Sequence, residues 1–167
     1  MKSIVIFFSR ADENYVSGTI KRLDVGNTEI AAGIVAKASN SDIFKVEPIN
    51  DYPEDYNECI AQAKAEQQRN ARPALKALPQ NLSDYDTIYL GYPNYWGTMP
   101  MPMFTLLESC DLGGKTIMPF CTHEGSGLGS SESDIKKLCP NSNVKSGLAI
   151  HGSRLDRAEA LVDKWLN

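Results

Sequence analysis

Apolar residues in this chain fall into short unbroken runs, separated by longer stretches in which they recur at helical spacing. Ile4-Val5-Ile6-Phe7-Phe8 is the clearest run. Five consecutive β-branched and aromatic residues predict a strand covered on both faces, the situation in a parallel sheet with helices on each side. Ile43 to Glu47 is more polar and predicts an edge strand. Thr87 to Tyr92 predicts a third strand, Thr116 to Cys121 a fourth, and Ser146 to His151 a weaker fifth.

Helices fit between these strands. Thr28 to Ala38 sets Ile30, Ile34 and Ala38 on one stripe, with Ala31 and Val35 beside it. Pro53 followed by Glu54 and Asp55 is a helix start, with proline in the first turn and acids at the positive end of the dipole. That helix runs to Asn70, because Pro73 restricts Arg72. Met103 to Cys110 predicts a short helix with Phe104 and Leu107 inward. Ser131 to Asp134 has capping-box spacing and opens a helix bearing Ile135, Leu138 and Cys139 on one face. A last helix carries Ala158, Leu161, Val162 and Trp165 at core spacing.

Strand and helix therefore alternate five times. That order predicts one α/β domain over residues 1–167: a doubly wound, five-stranded parallel sheet in the order 2-1-3-4-5, with helices on both faces. Two features depart from a plain pattern. Residues 10–26 separate the first strand from the first helix, where roughly two to six residues are usual, and are expected to form a functional or mobile loop. Pro119 lies inside the fourth strand and has no N–H to give to a ladder. It predicts a bulge that re-aims Phe120 to Thr122, an expectation that an unbroken ladder on both sides of residue 119 would contradict.

Composition narrows the function. Seventeen basic and 21 acidic residues give a net charge of −4, which argues against nucleic acid or an anionic membrane as partner. The four cysteines, at 59, 110, 121 and 139, form no CxxC pair and read as small buried apolar residues. No ligand spacing links His123 to His151, so a metal site has little support. No apolar run approaches the ~18 residues of a spanning helix, and Ile4 to Phe8 is too short for a signal-peptide core. A cytoplasmic setting is the resulting expectation.

In open α/β sheets ligands bind beyond the carboxyl ends of strands where the strand order reverses. Here that crevice lies between the first and third strands, so the loops to inspect are 9–28, 93–99 and 122–130. In the first, Ser9 follows the strand, and Gly26-Asn27-Thr28 opens a helix whose free N–H groups suit a phosphate; N-capping by Asn27 or Thr28 is the plainer reading. In the second, Pro93-Asn94-Tyr95-Trp96-Gly97 offers a flat aromatic platform, or else a surface aromatic plugging its own loop. In the third, Thr122-His123-Glu124-Gly125-Ser126-Gly127 exposes backbone N–H groups that can cradle an anion or bond heterocycle carbonyls. A flexible surface loop is the alternative there. One ligand satisfies all three loops: a phosphate at one end and a flat, carbonyl-bearing ring at the other, the shape of flavin mononucleotide (FMN).

On these residues the chain resembles the flavodoxin family, in particular its bacterial flavodoxin-like branch. The resemblance rests on the Ile4 to Phe8 strand with Ser9, the Gly26-Asn27-Thr28 turn, Tyr92 to Gly97, and Thr122 to Gly127, and extends over essentially the whole chain. It implies that Ser9, Asn27 and Thr28 hold the FMN phosphate, with Arg10 adjacent. It implies that Pro93, Asn94, Tyr95, Trp96 and Gly97 lie along the flavin ring, with Tyr95 or Trp96 stacking. Thr122, His123, Glu124, Gly125, Ser126 and Gly127 would contact the ring edge and ribityl chain, mostly through backbone groups. The chain departs from the family pattern in the insert between Ser9 and Gly26, which contains Tyr15, Lys21 and Arg22.

The resemblance implies redox chemistry carried by the flavin and tuned by the protein. Two activities suit it: an electron carrier between partner proteins, or an NAD(P)H-dependent reductase of quinones or similar small acceptors. The short acidic chain, with no added nicotinamide-binding segment, favours the carrier. A flavin-free interaction module is a third reading. The acidic group Asp51, Glu54, Asp55 and Glu58 suits a basic redox partner or simply a solvated helix start. Tyr52 and Tyr56 are expected to pack the second helix rather than touch ligand.

Overall fold

The computed structural model describes residues 2–167. The main sheet contains β1 (Ser3–Phe7), β4 (Asp42–Lys45), β5 (Thr87–Pro93), β6 (Thr116–His123), β7 (Asn143–Val144) and β8 (Leu148–His151). Its order is β4-β1-β5-β6-β7, with β8 also on β6, and every pairing in it is parallel. This is the doubly wound 2-1-3-4-5 arrangement, with the fifth strand in two pieces.

The unbroken apolar run at the N-terminus has a direct cause. Alternate residues of β1 enter two different cores: Ile4 and Ile6 pack on one face of the sheet, Val5 and Phe7 on the other. Tyr92 and Ile88 of β5 and Ile117 and Cys121 of β6 join the first core, beneath helices α2 (Tyr56–Gln68), α3 (Met101–Ser109) and α4 (Ser131–Leu138). Phe120 joins the second, with α1 (Asn27–Ser39) and α5 (Ala158–Leu166). Trp165 packs there edge-on against Tyr89 and Phe120.

Several elements differ from expectation. Residues 10–26 are no open loop: β2 (Asp12–Val16) and β3 (Thr19–Leu23) pair as an antiparallel hairpin outside the main sheet. Ser17 and Gly18, both at positive φ, make its two-residue turn. The buried face of α1 is Thr28, Ala31, Ala32 and Val35, while Ile30 is 41% exposed. Small side chains let the helix lie close to the sheet, which a search for the largest apolar stripe overlooks. α2 begins at Tyr56, capped by Asp55, whose carboxylate accepts the Glu58 N–H at 2.9 Å. α3 starts two residues earlier than expected, at Met101. Ser131 makes no capping box; it is buried, accepts from the Tyr92 hydroxyl and donates to the Leu128 carbonyl.

Pro119 interrupts the ladder on one side only. Its pairing with Leu90 lies within an unbroken β5–β6 register from Thr87–Thr116 to Pro93–Thr122. The carbonyls of Lys115 and Ile117 point the other way, accepting from Asn143 and Lys145. By the two-residue period of a strand, the position without an N–H at 119 faces that same side. There the neighbour pairs with residues 116–117 through β7 and with 120–123 through β8, and leaves 119 unpaired. The irregularity sits in the partner strand rather than as a bulge in β6.

Candidate functional site

A cleft of about 510 Å³ opens at the carboxyl ends of β1, β5 and β6. Ser9, Arg10, Asn27, Thr28, Pro93, Asn94, Tyr95, Trp96, Gly97, Thr122, His123, Glu124 and Ser126 all line it. Gly125 and Gly127 do not. They shape the loop from behind: the Gly125 N–H bonds the His123 ring, and the Gly127 carbonyl takes the Asn94 side-chain amide at 2.8 Å. Both sit at positive φ, a conformation that glycine supplies freely.

The end of the cleft at α1 is built by a close approach. Gly26 is the N-cap of α1 and has no side chain to cap it. Ser9 supplies the missing oxygen, accepting the Glu29 N–H at 3.0 Å. A Cβ at Gly26 would run into the Ser9 hydroxyl and stand 2.5 Å from the Arg10 carbonyl oxygen. The capping role expected of Asn27 or Thr28 therefore belongs to Ser9. The Asn27 and Thr28 N–H groups precede the first intrahelical bond, the usual state of orphan donors at a helix start. The Thr28 side chain is committed: its Oγ1 lies 2.7 Å from Thr122 Oγ1, both residues buried.

Arg10 does not stand free beside this end. Its guanidinium donates to the backbone carbonyls of Glu13, Pro53 and Glu54. It fastens the hairpin to the start of α2, and the Glu13 carboxylate takes the Tyr56 N–H at 3.3 Å. Arg10 Nε is buried and finds no partner among the described residues.

The aromatic segment is a tight turn. Tyr95 and Thr98 exchange backbone hydrogen bonds across Trp96 and Gly97, both at positive φ, as a type I′ turn requires. A left-handed tryptophan is unusual and holds only because its surroundings fix it. The indole N–H donates to the Ile60 carbonyl at 2.8 Å, the Trp96 carbonyl accepts from Gln67, and Lys64 lies over the ring at 4.8 Å. Trp96 remains 47% exposed. Tyr95 turns inward, packed edge-on against Phe8 and Tyr52. Burial, then the neighbouring Cys59, pushes its hydroxyl far above the ordinary tyrosine range. The third loop meets the second at Gly129, where a Cβ would overlap the Gly97 carbonyl that accepts the Ser130 N–H.

The cleft also takes residues that the strand-end argument did not reach: Asn14 and Tyr15 from the hairpin, Tyr56, Cys59, Ile60 and Ala63 from α2, and Gly152 after β8. Tyr15 and Tyr56 face each other with centroids 6.1 Å apart. Tyr52 behaves as expected and is buried, its hydroxyl 2.5 Å from the buried Glu66 carboxylate. Tyr56 instead reaches the cleft. The one sequence signal for these residues was the length of the insert. Among the described residues no cluster of His, Cys, Asp and Glu is arranged to hold a metal, and no helix is long and apolar enough to cross a membrane.

A cleft at the reversal of strand order, walled by a helix N-terminus, an aromatic turn and a glycine-rich loop, defines a doubly wound α/β protein with its site at the strand ends. A family model described as Flavodoxin matches residues 23–167, and the chain belongs to that family. No curated protein matches the sequence. Among solved structures it is similar to a protein of Bacteroides eggerthii assigned as a flavoprotein, at 30% identity over 99% of this chain and 95% of that one, with a TM-score of 0.79. A counterpart from Bacteroides uniformis shares 28% identity, with 99% and 97% covered and a TM-score of 0.78. A Lactobacillus acidophilus flavoprotein in complex with FMN shares the fold at 20% identity, with 99% of each chain covered and a TM-score of 0.71.

Proposed function

We propose that the protein binds FMN non-covalently in this cleft and carries electrons between partner proteins. The observation that carries the reading is the convergence of Ser9, Asn27, Thr28, Trp96 and Thr122, remote in sequence, on one cleft. The residues present fit the cofactor. The orphan N–H groups of Asn27 and Thr28, at the positive end of the α1 dipole, would hold the phosphate. Arg10 Nε, a buried donor without a partner among the described residues, is the kind of group an anionic ligand satisfies. Trp96 would offer the flat face, and the 122–126 segment the polar edge. FMN when bound supplies the one- and two-electron chemistry; the chain binds it, orients it and limits its contact with water.

Exposed Trp96 and Tyr15 beside the cleft suit docking by a redox partner; Glu54 and Asp51 already face Arg22 and Lys76 of this chain. The test is spectroscopic. Titration with FMN is expected to shift and sharpen the blue flavin band with saturable affinity, and replacing Trp96 by Ala is expected to weaken it. No uptake of FMN overturns the reading. Rapid bleaching of the loaded protein by NADH or NADPH alone would replace the carrier with a reductase.

A further inference from the structure

The hairpin between Ser9 and Gly26 is tied to the protein at both ends, on opposite sides of the cleft. Its base is fixed at the start of α2. There the Glu13 N–H donates to the Glu54 carbonyl at 3.2 Å, and the Arg10 guanidinium holds backbone carbonyls of both segments. The Asn14 side-chain amide stiffens that base, lying 3.1, 3.0 and 3.3 Å from the carbonyls of Arg10, Ala11 and Asp12. The tip reaches the other side. The Ser17 N–H, in the hairpin turn, donates to the Ser153 hydroxyl oxygen at 3.0 Å. Ser153 follows the cleft-lining Gly152 beyond β8, and its hydroxyl donates in turn to the Glu124 carboxylate. The strand that precedes α2, β4, and the strand that precedes Ser153, β8, lie on opposite sides of β1, β5 and β6, whose ends open the cleft. A segment tied at both places spans it.

The two attachments differ in strength. The base has several hydrogen bonds and a guanidinium clamp. The tip has one hydrogen bond, exposed to solvent, of the kind that opens readily. Little else restrains the span, since β3 is exposed at four of its five positions. Tyr15 sits in the middle of the span. It lines the cleft while remaining 44% exposed, with Tyr56 behind it at 6.1 Å and their rings inclined by 33°. Ile60 and Ala63 of α2 continue this part of the cleft as an apolar surface. A half-bare aromatic ring over apolar lining is a place for a second flat ring to pack.

We propose that the hairpin is a strap over the cleft: Tyr15 packs on the flat ring of the bound ligand, and ligand enters and leaves when the tip releases Ser153. The ligand class this selects is a planar aromatic ring, and the inference rests on the FMN reading for its identity. The two residues have separable duties. Tyr15 touches the ligand and sets affinity. Ser153 latches the strap and sets the rate of exchange.

The experiment follows FMN uptake and release by stopped-flow fluorescence, and the hairpin by deuterium exchange. Saturating FMN is expected to slow exchange over residues 12–23. Tyr15→Ala is expected to weaken FMN binding about tenfold, chiefly through faster release, and Tyr15→Phe to restore it. Ser153→Ala is expected to speed uptake and release together, each about fivefold, with affinity nearly unchanged. Ser153→Thr keeps the hydroxyl and is expected to behave as wild type. Faster release without faster uptake in Ser153→Ala, or exchange over 12–23 that FMN leaves unmoved, overturns the strap. Unchanged affinity in Tyr15→Ala overturns the contact. A wild-type protein that takes up no FMN overturns the cofactor reading and this inference with it, whereas uptake to which the hairpin is indifferent overturns this inference alone.

Discussion

The strand-end wall of the cleft and the wall formed by the hairpin and α2 are made by different means. The first consists of chain that leaves the sheet: Ser9 after β1, the turn after β5, and the 122–130 loop after β6. Its contacts are tight and partly buried, such as the Thr28–Thr122 hydroxyl pair and the approach of Gly129 to Gly97. The second adds to α2 a half-buried strand and an exposed one, held by a guanidinium on three carbonyls and by an aromatic pair. The strand-end wall is thus part of the global fold, and the hairpin wall is an attachment expected to open separately.

Four measurements sharpen or break that contrast. Gly129→Ala forces a Cβ into the Gly97 carbonyl at a positive φ, and is expected to lower unfolding free energy by about 3 kcal/mol. A urea midpoint close to wild type would show that the two loops are not rigidly joined. Arg10→Ala removes the clamp, and is expected to lower the local opening free energy of residues 12–23 by about 2 kcal/mol in hydrogen exchange while the global midpoint moves much less. Equal loss in both would make the hairpin part of the cooperative core. Thr28→Val leaves the Thr122 hydroxyl unpaired in a buried position and is expected to lower the global value by about 1.5 kcal/mol. The smallest effect is that of pH. Folding holds His123 below its ordinary range, so its contribution is complete above about pH 6.5 and is lost as pH falls through the lowered value. Stability that rises on acidification over that window would contradict the burial of this ring.

How much of this was legible in the sequence follows the same division. The strand-end wall could be read because each piece is local: an apolar run, then glycine, hydroxyl and aromatic residues within a few positions. Ile4 to Phe8 announced a doubly covered strand through its lack of alternation. Tyr56 could not be placed, because whether a tyrosine on α2 faces the core or the cleft depends on a hairpin some 40 residues away. Tyr15 was hidden because residues 12–23 carry no apolar alternation; no residue of either hairpin strand is fully buried, so no core imprints a period on it. Ile30 misled for the opposite reason: size suggested burial, where the close packing of α1 selected Ala31 and Ala32 instead.

Pro119 works as punctuation in the chain's last strand. A segment from 143 to 151 that ran straight through would lay a carbonyl against a nitrogen with nothing to donate. The strand instead pauses at 145–147 and resumes at Leu148, and that pause sets which residue ends opposite His123. A proline three strand positions back from the cleft thereby bears on which residue, His151, pairs with His123, and on the side-chain-free Gly152 next to it reaching the cleft.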